Sequence, residues 1–223
     1  IRKIAAVCRA HPQVVFHVDA VQAAGRIPVD FEELGADLLS LTAHKLYGPK
    51  GVGALVMRRG GRRIALEPLL DGGGHEQHLR SGTLPVPLIV GFGEACRLAA
   101  SLLPEESERL RTLRDQLWRE LSNRLSGLFR NGHPVECLPG HLNVSVAGVD
   151  GEALMNAMTR IAVSSGSACT SSNPEPSHVL RAIGRSDTLT RASLRFGLGR
   201  STSPADIDLA VECVAQAVAR LRH

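Results

Sequence analysis

The chain has 223 residues, 43% of them hydrophobic, enough for one large domain or two modest ones with a sizeable core. Its formal charge is +4, but 23 Arg and 3 Lys are interleaved with 22 acids, which argues against the concentrated basic stripe of a nucleic-acid binder. Five cysteines without a CxxC pair argue against a disulfide scaffold or a cysteine-type zinc site, and fit a reducing, cytoplasmic setting.

No apolar run approaches the roughly 20 residues needed to span a bilayer, so no membrane partner is expected. The sequence opens on Ile1 and not on Met, inside what reads as an amphipathic helix over residues 3–10, so the true start is expected to lie upstream. QVVFHVDA then predicts a short buried strand ending in an acid. ADLLSLTAHK predicts a second ending in Lys45, and GVGALVMRR a third after the turn YGPKG. This alternation is that of a parallel α/β sheet. Ligands in such sheets sit beyond the carboxyl ends of the strands, where the acid and the lysine could face one crevice.

EPLLDGGGHEQHLRSGTLPVP, rich in Gly, His and Pro, predicts a long irregular loop. PLIVGFGEACRLAASLL predicts a small-residue helix bridging two domains, and residues 105–128 a separate charged amphipathic helix. Beyond it, HLNVSVAG predicts a strand, GEALMNAMTR a helix, IAVSSG a short strand, and residues 164–177 a Ser/Gly/Asn/Pro-rich loop around Cys169. SHVLRAIG predicts a helix, ASLRFGLG a strand, and a last helix starts at Pro204. The expected organisation is the C-terminal, incomplete part of a large α/β domain over residues 1–99 and a small α+β domain over 100–223.

Among three lysines, Lys3 falls on a surface helix and Lys50 in a Gly/Pro turn, so Lys45, closing an apolar strand, is the best candidate for covalent chemistry. Asp19 closes the neighbouring strand. Pattern alone leaves open that the two form an ordinary salt bridge. Cys169 sits between small flexible residues, unlike a structural cysteine packed among apolar neighbours, and reads as a nucleophile. Cys8, Cys96, Cys137 and Cys213 read as packing residues. Thr42 would otherwise cap backbone, His44 pack in a turn, Thr83 serve as a loop hydroxyl and Arg195 join a surface ion pair. His75 and His78 lack a third ligand at matching spacing, which argues against a zinc site.

HVDAVQAAG followed by SLTAHKLYGPKGVGAL resembles the cofactor segment of cysteine desulfurases with the class V aminotransferase fold. The likeness continues in order through GGGHEQHLRSGT, SSGSACTS, EPSHVLRAIG and SLRFGLGRST, and favours the housekeeping and nitrogen-fixation branch. It implies pyridoxal 5'-phosphate as cofactor, carried by Lys45, with Asp19 at the pyridine nitrogen, Gln22 at the ring's phenolate oxygen, and Thr42 and His44 at the phosphate. It makes Thr83 a ligand to the phosphate in the other subunit of a homodimer, and Arg195 the grip on the substrate carboxylate. L-Cysteine would become L-alanine while Cys169 takes up sulfur as a persulfide for an acceptor such as an iron–sulfur scaffold protein, and the resemblance also implies Cys169 as a transient ligand to a nascent cluster.

The same resemblance expects an upstream half, with the first strands of the sheet and a histidine stacked on the cofactor, that this sequence does not contain. The 223 residues alone are therefore expected to be inactive and poorly stable. Rival readings are another class V enzyme, such as a selenocysteine lyase or an aminotransferase, or a non-catalytic remnant acting as an interaction module.

Overall fold

The computed structural model describes residues 1–60, 64–165 and 176–222. Two compact units divide the chain, Ile1–Leu103 and Pro104–His223.

The first unit opens with helix α1 (Arg2–Arg9), followed by strand β1 (His17–Asp19) and the single-turn helix α2 (Phe31–Leu34). Asp30 starts α2 by accepting the Glu33 N–H, and Gly35 ends it in a left-handed conformation (φ 68°). Strand β2 (Leu38–Thr42) lies parallel to β1, with Val18 opposite Leu39 and Asp19 opposite Ser40. Strand β3 (Gly53–Met57) pairs with β2 antiparallel. This departs from the all-parallel alternation expected from sequence. The connection over residues 43–52 is shorter than the dozen or so residues a parallel crossover requires, so only a hairpin-like return is possible. Buried Val18, Ala20, Ala36 and Leu39 fill one side of this sheet.

Two helices expected over 87–103 and 105–128 are one, α3 (Val86–Arg124), with Pro104 inside it. Charged and apolar halves share a 3.6-residue period, and the loss of one backbone N–H at Pro104 does not interrupt them. That merger corrects the expectation about membrane spans: by length and composition alone, α3 is long and apolar enough to cross a bilayer. Its apolar half nevertheless carries an ion pair between Glu94 and Arg97 at 2.7 Å.

In the second unit, β4 (Leu128–Arg130), β5 (His141–Val146) and β6 (Ser193–Gly197) form an antiparallel sheet with β5 central. Short helices α4 (Gly151–Asn156), α5 (His178–Ala182) and α6 (Asp187–Arg191) precede β6, and α7 (Pro204–Leu221) closes the chain. The expected strand at 161–166 reduces to an isolated bridge between Ser164 and Arg195. Helix α7 buries Ile207, Ala210, Val211, Val214, Ala217 and Val218, one face at helical spacing, against β5 and the Leu110–Leu125 face of α3. It starts on a capping box in which Ser203 and Asp206 exchange hydrogen bonds, and those bonds hold the Asp206 carboxyl below the usual range.

Gly151, the first residue of α4, is fixed by close approach. A Cβ there would lie 2.2 Å from the Arg191 carbonyl oxygen and 2.9 Å from the Ala192 nitrogen, both backbone atoms that cannot swing aside. Gly151→Ala is expected to cost about 3 kcal/mol or more. Urea unfolding checks it, as a lower midpoint at an unchanged slope.

Candidate active site

Strands β1 and β2 run parallel, so their carboxyl ends lie at one edge of the sheet, and Asp19, Gln22, Thr42, His44 and Lys45 all follow or end those strands there, while Thr83 does not. Asp19 is the last residue of β1, with Val18 buried and Asp19 exposed, as strand alternation demands. Its Oδ1 accepts the Val21 N–H at 2.9 Å, which turns the chain away from the strand. The next residues coil into overlapping turns, Ala23 and Ala24 both donating to the Ala20 carbonyl, and Gln22 is exposed on them.

One strand over, β2 ends at Thr42 and the chain enters a single 3-10 turn, Ala43–Lys45. The Ala43 carbonyl accepts both the Leu46 N–H (2.8 Å) and the Gly48 N–H (2.9 Å), so the turn that presents Lys45 is tied twice to one atom. Ala43 and Leu46 are buried with Phe92, Ala95 and Ala99 of α3, which anchors the turn from below. Tyr47 reverses the chain with φ 61°, a left-handed conformation that a bulky residue adopts only under local constraint. Its ring lies 5.2 Å under the Arg26 guanidinium, and its hydroxyl accepts a hydrogen bond from Arg26 at 3.1 Å. Arg26 thereby joins the loop that follows Asp19 and Gln22 to the loop that follows Lys45.

Lys45 is exposed, and among the described residues its amine enters no hydrogen bond or ion pair. Asp19 is likewise paired only with a backbone N–H. The salt bridge left open by the sequence pattern is thus not formed. Thr42 Oγ1 lies 2.9 Å from His44 Nδ1 and 3.4 Å from the Val52 carbonyl oxygen. Thr83 is exposed in the irregular loop before α3, where Glu76, Gln77 and His78 all have positive φ (50°, 56° and 65°).

In the second unit, Arg195 is central in β6, opposite Asn143 of β5. Its backbone is held on the other edge by Ser164, through Arg195 N–H to Ser164 oxygen at 2.7 Å and Ser164 N–H to Arg195 oxygen at 3.3 Å. Arg195 is half-buried, and its guanidinium has no hydrogen bond or ion pair among the described residues. By contrast, Arg200 is bound to Glu106 at 2.9 Å. An uncommitted guanidinium is suited to a planar carboxylate. Cys169 lies outside the described residues.

The packing role expected for the other cysteines is corrected in part. Cys8, Cys137 and Cys213 are half-buried and Cys96 is exposed, with partial burial pushing the Cys96 thiol up. Cys137 accepts hydrogen bonds from Arg114 at 3.1 Å and Arg130 at 3.7 Å, so it is not a plain apolar filler.

Sequence reading missed two members of the Asp19 face. His17, two residues before Asp19, shares its side of the sheet, and its Nε2 lies 2.7 Å from Ser40 Oγ. Period-two alternation back from Asp19 was the signal that could have found His17; Ser40 needed the register between strands.

The aminotransferase class-V profile matches residues 1–209. The chain belongs to the aminotransferase class-V family. Within it, the chain is similar to the cysteine desulfurase IscS of Pectobacterium carotovorum, 50% identical over 222 residues, and to that of Methylococcus capsulatus, 51% identical over 223. All of this chain is matched, against 54% and 55% of those relatives, so it spans about half the length of the curated relatives it matches. Among solved structures, a NifS-like protein from Rickettsia africae superimposes with a TM-score of 0.86 at 27% identity, covering 98% of this chain and 57% of that one. SspA in complex with cysteine superimposes with a TM-score of 0.70 at 36% identity, covering 88% and 53%. The class V fold accounts for the α/β character of the chain.

Proposed function

We propose that this chain is the part of a cysteine desulfurase that carries its reactive lysine and its sulfur-accepting cysteine. The observation that carries the reading is the exposed, unpaired Lys45 amine, presented by a doubly tied turn at the same sheet edge as the Asp19 carboxylate. It is joined by about 50% identity to proteins named cysteine desulfurase along the whole chain. SspA, a structural relative, has been captured with cysteine, which favours the same substrate here.

The donor set fits pyridoxal 5'-phosphate. An amine free of protein partners, a carboxylate one strand away, and a hydroxyl–imidazole pair beside the amine are the groups that its aldehyde, ring nitrogen and phosphate need. Lys45 would carry the cofactor, Asp19 and Gln22 would contact its ring, and Thr42 and His44 its phosphate. When bound, it supplies an electron sink for the substrate's α-carbon.

The protein's own groups do the rest. Asp19 would hold a proton at the ring nitrogen, since a carboxylate facing it favours the charged ring. His44 would donate a hydrogen bond to the phosphate beside Thr42. Arg195 grips the carboxylate of L-cysteine by a two-pronged contact. The amine of Lys45 moves protons at the substrate's carbons, and the Cys169 thiolate takes the substrate sulfur, leaving L-alanine and a persulfide on Cys169. Cys169 would pass that sulfur to an acceptor such as an iron–sulfur scaffold protein, and would serve as a transient ligand to a nascent cluster. Thr83 would reach the cofactor phosphate of the other subunit in a homodimer. Residues 1–99 are read as cofactor-binding and 100–223 as the smaller domain, in a cytoplasmic protein without nucleic-acid or membrane partners.

The test is to incubate the intact natural protein with pyridoxal phosphate, a thiol reductant and L-cysteine. Equal amounts of alanine and sulfide are expected. Alanine formed without sulfide, or turnover of selenocysteine alone, overturns the reading.

A further inference from the structure

The turn Gly199–Thr202, which connects β6 to α7, has few backbone partners of its own. Within it, Gly199 N–H donates to Thr202 Oγ1 at 3.0 Å, and Thr202 N–H to the Gly199 carbonyl at 3.0 Å. Three of its four carbonyls converge on one side chain from α3. Arg109 Nη1 donates to the Thr202 carbonyl at 2.6 Å, and Nη2 to the Arg200 carbonyl at 2.8 Å and the Gly199 carbonyl at 3.3 Å. One turn earlier on the same helix face, buried Glu106 holds the Arg200 side chain at 2.9 Å. Two neighbouring side chains of α3 therefore grip backbone and side chain of one four-residue turn, across a sequence separation of about ninety residues.

That turn fixes the end of the strand carrying Arg195. Leu198, between them, donates its N–H to the Gly140 carbonyl at 2.8 Å, and a Cβ on Gly140 would lie 2.6 Å from the Leu198 carbonyl oxygen, so the chain beyond β6 packs backbone to backbone on the residue before β5. The Arg195 backbone is itself bound on the opposite edge by Ser164. A guanidinium that must meet a carboxylate at two points tolerates little displacement, because losing the planar match loses both hydrogen bonds.

We propose that Arg109 is a positioning residue for substrate binding: by holding the three carbonyls of the 199–202 turn, it sets the place from which Arg195 takes the amino-acid carboxylate. The proposal rests on the carboxylate role read above for Arg195. Arg109 acts through the backbone and touches no substrate. Lysine at 109 could reach one of the three carbonyls at a time, so an Arg→Lys change keeps the charge and loses the fork.

The intact natural protein, loaded with pyridoxal phosphate, is the material for the test. The equilibrium affinity for L-alanine, which has the carboxylate but no sulfur, is measured by calorimetry in Arg109→Met, Arg109→Lys, Arg195→Lys and the Arg109→Met/Arg195→Lys pair, alongside KM and kcat for L-cysteine. The expected result is a loss of affinity of about tenfold in Arg109→Met, partial recovery in Arg109→Lys, a matching rise in KM, and kcat within about twofold. The double variant should be no weaker than Arg195→Lys alone, since two residues acting through one contact are not additive. Unchanged affinity in Arg109→Met beside a weakened Arg195→Lys overturns the proposal and leaves the reading of Arg195 intact, as do additive losses. Unchanged affinity in Arg195→Lys removes the carboxylate role itself, and the proposal with it. Should Arg109→Met fail to fold, Thr202→Val, which removes the hydroxyl that caps Gly199 inside the same turn, carries the test with the same expected pattern.

Discussion

Lys45→Ala in the intact natural protein abolishes desulfuration, with a loss of roughly 10³-fold or more expected for removing a group that both carries the cofactor and moves protons. The structural reason is the absence of a substitute. Lys50 lies beyond the reversal at Tyr47, and Lys3 is on α1, so no other lysine shares the 3-10 turn at the end of β2. Alanine is well tolerated at an exposed site, so the fold should persist and the loss should be chemical. Borohydride treatment followed by peptide mapping is the decisive measurement. It should fix the cofactor onto position 45 in the natural protein and nowhere in Lys45→Ala. Labelling at another lysine, or turnover within tenfold of the natural protein, would remove Lys45 from the mechanism.

Cys169→Ser is expected to separate cofactor binding from sulfur transfer. The cofactor spectrum and its borohydride labelling at Lys45 should be retained, while sulfide and alanine production fall to background, because a hydroxyl is too weak a nucleophile to take the sulfur. Trapping with an alkylating agent after brief exposure to L-cysteine should find a persulfide at residue 169 of the natural protein. Alanine released at the natural rate by Cys169→Ser would refute the assignment, and would point toward a class V enzyme that needs no thiol.

Much of the local structure was legible in the sequence because it is written in short-range patterns. A last helix was expected from Pro204, and α7 starts there, on a capping box between Ser203 and Asp206. The apolar run before Asp19 and the one before Lys45 give β1 and β2, with chemistry at their ends. Elements that depend on neighbours were not legible. Strand β4 has only three residues, Leu128–Arg130, and exists because β5 offers it a partner. The antiparallel direction of β3 follows from a connection too short to cross over. Helices α2 and α6 are single turns started by the Asp30 and Ser186 caps, too short to leave a periodic trace.

By itself the sequence determined which groups are present and roughly where they stand: an acid ending one apolar strand, a lysine expected to end the next but standing one 3-10 turn beyond it, and the ordered motifs that identify the class V family. Those follow from hydrophobic periodicity and local chemistry, which act over a few residues. Tertiary structure alone decided that Asp19 and Lys45 share an edge without neutralising each other, that Arg200 is committed to Glu106 while Arg195 is not, and that Arg109 reaches the turn behind Arg195. The cause is physical. Each of those facts is a choice of partner between residues distant in the chain, and a guanidinium or carboxylate has the same local pattern whichever partner the packing brings to it.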